Sequence, residues 1–88
     1  MKVVYKYILE IGIINTIALP PGSEVLGVKI QKDQICMWVL LDTSYTSMYH
    51  RKFMIVGTGM YFDAKIKGSL GSVMTEDHNF VFHVFEVE

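Results

Sequence analysis

The chain has 88 residues, of which 51% are hydrophobic and only 19% are charged. Disordered segments have the opposite composition, because they cannot bury enough apolar surface to offset the entropy of ordering, so we expect a folded chain. This length fits a single domain that covers residues 1–88. The formal net charge of -1 argues against long nucleic acid or an acidic membrane as an electrostatic partner of the whole molecule.

The cysteine content and the apolar runs indicate a compartment. Cys36 is the only cysteine, so it cannot form a disulfide within the chain, which favours a reducing compartment. The start of the chain lacks the pattern of a secretory signal, and no apolar run reaches the roughly 18 residues of a membrane-spanning helix. We therefore expect a cytosolic protein, although a virion protein would show the same pattern.

Alternation of apolar and polar residues with a period of two recurs along the chain, and it predicts β-strands. The predicted strands cover residues 3–9, 13–19, 25–31, 35–41, 53–58, 70–74 and 80–86. Turn-forming residues separate them, such as the run Pro20-Pro21-Gly22, in which proline cannot donate to a sheet ladder. No segment combines helical periodicity with caps. We therefore predict an all-β fold, a small antiparallel β-sandwich or a partly open barrel of about seven short strands.

Two of the predicted strands, residues 35–41 and 80–85, are apolar on both faces, and Trp38 lies in the middle of the first. In a two-layer domain only one face of a strand meets the core. The second faces would leave an apolar patch larger than soluble monomers usually expose. We therefore expect a homo-oligomer, in which another copy covers these faces and stabilises a small domain without disulfides.

No catalytic or metal-binding motif stands out in the sequence. Cys36, His50, His78 and His83 do not have the spacing of a metal site, so we expect neither a metal nor a cofactor. Cys36 is expected to be a small buried hydrophobe, and His83 a half-buried histidine whose ring nitrogens bond to neighbours. Nucleophilic catalysis would need a serine or Cys36 to meet His83 across strands, and no local pattern supports this, so we expect no enzyme.

The charge pattern contains one informative asymmetry. Four of the eight basic residues lie between positions 51 and 67, beside a single acid, Asp63: Arg51, Lys52, Lys65 and Lys67. Backbone N–H groups around a glycine-rich turn can hold an anion, basic side chains neutralise phosphate, and aromatic rings stack on bases. The predicted ligand contacts are Arg51, Lys52, Gly57, Thr58, Gly59, Tyr61 and Lys65, with Tyr49 and His50 as lids. The alternative is a bulge whose flanking charges guard a sheet edge.

Several short motifs follow one another along nearly the whole chain. They are Val4-Tyr5-Lys6-Tyr7, Leu19-Pro20-Pro21-Gly22, Val28-Lys29-Ile30-Gln31, Met37-Trp38-Val39-Leu40, Ile55-Val56-Gly57-Thr58-Gly59 and Val81-Phe82-His83-Val84-Phe85-Glu86. In this order and spacing the chain resembles a family of small, uncharacterised bacteriophage and prophage proteins. Two features depart from that family: Met60 stands where a histidine often follows the glycine-rich turn, and residues 43–50 lack the usual proline.

The resemblance implies a phage origin and action in the host bacterial cytoplasm, but it carries no activity that transfers to this chain. Our leading hypothesis is a non-enzymatic, homo-oligomeric protein that sequesters a small anionic ligand, such as a nucleotide immune signal, to counter host defence. The alternative is a protein-interaction module that inhibits a host protein or acts in phage particle assembly, through exposed aromatic and methionine side chains.

Overall fold

The computed structural model describes residues 1–88 as seven antiparallel strands in two sheets, with no helix. The strands are β1 (Lys2–Leu9), β2 (Ile14–Leu19), β3 (Glu24–Gln31), β4 (Gln34–Asp42), β5 (Tyr49–Gly57), β6 (Ile66–Met74) and β7 (Val81–Val87). A three-stranded sheet has the order β1-β4-β3, and a four-stranded sheet has the order β2-β5-β7-β6. The predicted all-β sandwich of about seven strands is confirmed.

Two strands begin four residues earlier than the sequence predicted. β5 begins at Tyr49 rather than at residue 53, because its polar first residues pair with β2 down to Leu19. β6 begins at Ile66 rather than at residue 70, and its ladder with β7 shifts register around Gly68 and Gly71. Bulges of this kind interrupt the period-two pattern, which is why the pattern predicted only the second half of β6.

The core lies between the two sheets. Alternate residues of β4 face it, since successive side chains of a strand point to opposite faces: Ile35, Met37, Val39 and Leu41, each at most 5% exposed. The four-stranded sheet contributes Phe53 and Ile55 from β5 and Val84 from β7. Phe53 is the largest of the fully buried side chains.

Residues 58–65, the crossover segment, connect two strands that are not neighbours. β5 and β6 both pair antiparallel with β7, which lies between them, so the connection must return along β7 to the start of β6. The Phe62 ring of this segment stacks on Phe85 of β7, with ring centroids 5.8 Å apart. Val56 and Val87, which face away from the core, are buried. The chain itself thus supplies part of the cover that we expected from another copy.

The outer face of the three-stranded sheet carries a second apolar surface. Trp38 and Leu40 of β4 are half-buried there. The flanking strands add Val4, Ile8 and Leu26, which are 46%, 50% and 52% exposed. This set of five residues, the outer patch, remains open to a partner.

Candidate functional site

The structure divides the predicted ligand contacts between the two ends of β5. The residues from Tyr49 to Lys52 lie at its start, which we call the basic end. The turn Gly57-Thr58-Gly59 lies at its finish, which we call the turn end. A strand rises by about 3.3 Å per residue, so Arg51 and Gly57 are about 20 Å apart along β5. The two groups therefore do not line one small pocket within a single chain.

Arg51 forms an ion pair with Glu86, and both side chains are largely buried. It donates from Nε to Oε2 of Glu86 at 2.8 Å and from Nη2 to Oε1 at 2.7 Å. A third bond runs from Nη1 to the carbonyl of Ser23 at 2.6 Å. The hydrogen bond from Arg51 holds the pKa of Glu86 below its usual value, and the same bond raises the pKa of Arg51. Arg51 therefore acts as a structural cation and is not free to hold a ligand.

The basic end has exposed charges of both signs. A shallow cleft of about 320 Å³ is lined there by His50, Arg51, Lys52, Lys67, Glu86, Val87 and Glu88. The ammonium group of Lys67 lies 4.0 Å from Oε2 of Glu86. Lys65 is also exposed near this end, where its carbonyl accepts from the Glu88 N–H at 2.9 Å. Lys52, Lys65 and Lys67 are thus cations that a partner molecule could reach.

The backbone of the turn end is largely hydrogen-bonded within the chain. The Thr58 N–H donates to the carbonyl of Val81, and the Met60 N–H donates to the carbonyl of Gly57, each at 3.0 Å. Gly59 has a positive φ of 90°, a conformation that glycine adopts without steric cost. The amides of Thr58 and Met60 are therefore not free to hold an anion.

Beside this turn lies the largest of the clefts, which has a volume of about 550 Å³. It is lined by Gly57, Thr58, Met60, Asn79, Phe80, Val81 and Phe82. The Phe80 ring is 60% exposed and stacks on Phe82, with centroids 6.3 Å apart. Asn79 and Phe80 carry no local signal in the sequence, because they lie about 20 positions beyond the turn and only the pairing of β5 with β7 brings them to it. We call this site the aromatic cleft.

His83 is held by two hydroxyl groups on the outer face of the four-stranded sheet. Its Nε2 lies 2.7 Å from Oγ1 of Thr58, and its Nδ1 lies 2.8 Å from Oγ of Ser72 on β6. The prediction of a half-buried histidine with bonded ring nitrogens is confirmed. Ser72 also meets His83 across strands, which is the arrangement that nucleophilic chemistry requires.

The remaining predicted residues are exposed or buried as follows. Tyr61, on the crossover segment, is fully exposed, and Tyr49 is 61% exposed at the basic end. Cys36 is buried, as predicted.

No cluster of three or more potential metal ligands is present. The structure also has no helix of the length and apolar character needed to cross a membrane.

A family model described as "Domain of unknown function (DUF7352)" matches residues 1–88, the full length of the chain. Neither a curated protein nor a solved structure matches it.

Proposed function

The chain belongs to the DUF7352 family, and we propose that it is a non-enzymatic phage protein that forms a homo-oligomer and sequesters a small anionic ligand of the nucleotide class. In this proposal it acts in the host bacterial cytoplasm, where it removes a nucleotide signal of host defence. The observation that carries the proposal is the aromatic cleft, with the exposed ring of Phe80 on one wall.

The aromatic cleft suits a planar heterocycle. Its volume of about 550 Å³ falls within the range of about 300–1,000 Å³ that is usual for small-molecule sites. An exposed aromatic ring gives a base a stacking surface, which contributes about 1–3 kcal/mol per base. The Asn79 amide adds an uncharged hydrogen-bonding group at the edge, and such a group can recognise the polar rim of a base.

The charge of a nucleotide needs a second copy of the chain. None of the residues that line the aromatic cleft is charged. The accessible lysines Lys52, Lys65 and Lys67 lie toward the opposite end of the sandwich. In the proposed oligomer the basic end of one copy therefore approaches the aromatic cleft of another, so that the base and the phosphates contact different subunits.

The test is a binding panel measured by thermal shift and calorimetry. The panel contains mono-, di- and cyclic nucleotides, each beside its nucleoside. A ligand at 100 times its Kd stabilises the folded state by about 2.7 kcal/mol. We expect nucleotides to stabilise the protein more than their nucleosides, and Phe80→Ala to abolish the effect. Tyr45→Ala, which removes an exposed ring from the loop before β5, is the control. A panel without any stabilising nucleotide, or equal binding by Phe80→Ala, would overturn the proposal.

The outer patch favours a second candidate, a protein-interaction module that inhibits a host protein or acts in phage particle assembly. Val4, Ile8 and Leu26 stand about half exposed around Trp38, and large apolar and aromatic side chains form the centres of protein interfaces. Leu26→Lys would abolish capture of a defined host protein, whereas Phe80→Ala would not. Capture that survives Leu26→Lys would exclude the outer patch as the interaction surface.

A further inference from the structure

The hydrogen bonds around His83 favour one of its two tautomers. In one arrangement Ser72 donates to Nδ1, Nε2–H donates to Oγ1 of Thr58, and Thr58 donates to the Val81 carbonyl 3.3 Å away. In the opposite tautomer the Thr58 proton goes to Nε2 and the carbonyl loses that bond. The first arrangement makes three hydrogen bonds within the protein and the second makes two. The network therefore favours the tautomer in which Nδ1 carries no proton and accepts the hydrogen bond from Ser72.

We propose that Ser72 is a nucleophilic serine, activated by His83, that is acylated by small carboxylic esters with a good leaving group. A hydroxyl group is a weak nucleophile until an adjacent base removes its proton, and a third group usually orients that base. Here Ser72 is the nucleophile and His83 the base. Thr58 is a positioning residue, which holds the imidazole from the side opposite Ser72.

The surroundings leave Ser72 open to a reagent. Ser72 and Thr58 are both exposed, and His83 is half-buried on the outer face of the sheet. Phe85, whose ring is stacked on that of His83 with centroids 6.4 Å apart, supports the imidazole.

The reaction balances without any further component. The Ser72 oxygen forms a bond to the carbonyl carbon of the ester, and its proton passes to Nδ1 of His83. The bond between that carbon and the leaving alcohol breaks, and the alcohol departs with the proton that His83 carries or as an anion. The product is an acyl-serine. Because the reaction modifies each chain once, it is compatible with a binding protein and does not depend on the proposed function.

The experiment exposes the full chain to p-nitrophenyl acetate and locates the acetyl group by peptide mass spectrometry. We expect Ser72 to be acetylated, and Ser72→Ala to lose the modification. General-base assistance contributes about 100- to 10,000-fold, so His83→Gln should slow acetylation of Ser72 by at least about 100-fold. Ser69, an exposed serine on the same strand with no histidine bond, is the internal control and should react slowly.

The role of Thr58 is separated from folding by a pair of variants. Thr58→Val should slow acetylation, and Thr58→Ser, which restores a hydroxyl group, should recover most of the rate. Melting temperatures are recorded for every variant, so that a loss of folding is recognised. The inference is overturned if Ser72 reacts no faster than Ser69, or if folded His83→Gln is acetylated at the rate of the unmodified chain.

Discussion

Arg51 of β5 reaches diagonally to Glu86 of β7, and the two residues share two hydrogen bonds, of 2.8 and 2.7 Å. The third bond of Arg51, to the Ser23 carbonyl, reaches the turn that leads into β3 of the other sheet. The Arg51 guanidinium therefore links the two sheets by hydrogen bonds at the basic end. It also lies over the Phe53 ring, 5.7 Å from its centroid, beside the buried core.

The first prediction concerns this ion pair. Arg51→Gln leaves the largely buried Glu86 carboxylate without its main partner, so we expect the free energy of unfolding to fall by about 2–3 kcal/mol. The neighbouring exposed cation gives a matched control, because Lys52→Gln removes the same charge and should change stability by less than about 0.5 kcal/mol. Urea unfolding at neutral pH measures both. Equal losses in the two variants would show that overall charge matters and the pair does not.

The second prediction concerns acid stability. The pKa of Glu86 is lowered from 4.5, chiefly by its hydrogen bond from Arg51, so the folded state binds this proton less readily than the unfolded state. The stabilisation is present above the unfolded value and is lost as the pH falls through the folded value. Glu86→Gln should therefore be less stable at pH 7 yet show a shallower decline below about pH 4.5. Denaturant unfolding across this range is the measurement. Parallel profiles of the two proteins would contradict the assignment.

The third prediction concerns Asp42, whose pKa is lowered to about 2, first of all by the hydrogen bond from the Ser44 hydroxyl. That bond is 2.6 Å long, and the Ser44 N–H donates to the same oxygen at 2.9 Å. Ser44→Ala removes the hydroxyl and keeps the backbone donor, so the pKa of Asp42 should rise part of the way to its usual value. Carboxyl carbon chemical shifts followed through an acid titration report it. An unchanged midpoint would mean that the side-chain bond does not form in solution.

The fourth prediction concerns the bulge in β6. Gly71 has a positive φ of 127°, and a Cβ placed there would lie 3.1 Å from Cγ2 of Val28 in the other sheet. Gly71→Ala should therefore cost about 1–3 kcal/mol, since it adds both backbone strain and a close contact. Gly68→Ala on the same strand is the control, because an added Cβ there meets nothing within 4 Å. Thermal unfolding should rank Gly71→Ala well below Gly68→Ala; the opposite order would rule out the strain.

The strands could be predicted from the sequence, and their neighbours could not. Period-two alternation is a local signal that marks most of the strands. In β4, however, both faces are apolar, so the pattern alone does not separate Met37 and Val39, in the core, from Trp38 on the outer face. The order β2-β5-β7-β6 depends on contacts between distant segments, which leave no local pattern. The crossover segment is a consequence of that order, so the cover that it gives to Phe85 could not be foreseen.

In the candidate site, too, the local patterns could be predicted from the sequence and the contacts between distant residues could not. The clustering of cations between residues 51 and 67 was visible in the sequence, but Arg51 finds its partner Glu86 35 positions later. A strand separates neighbouring residues by about 3.3 Å each, so the predicted contacts from Tyr49 to Gly57 extend along β5 from end to end and do not form one pocket. Lys65 and Lys67 return to the basic end only because the crossover segment leads back to the start of β6. Phe80 reaches the turn end only through the pairing of β5 with β7.

The final prediction concerns the crossover segment as the cover of β7. Phe62 is half-buried and stacks on Phe85, so Phe62→Ala should lower the free energy of unfolding by about 1–2 kcal/mol. It should also speed hydrogen exchange at the Glu88 N–H, because this group donates a hydrogen bond to the Lys65 carbonyl at the end of the same segment. Tyr61→Ala changes the adjacent, fully exposed ring and should alter neither quantity. If the two variants behaved alike, the segment would not cover β7, and the outer face of that strand would be open to a second copy of the chain.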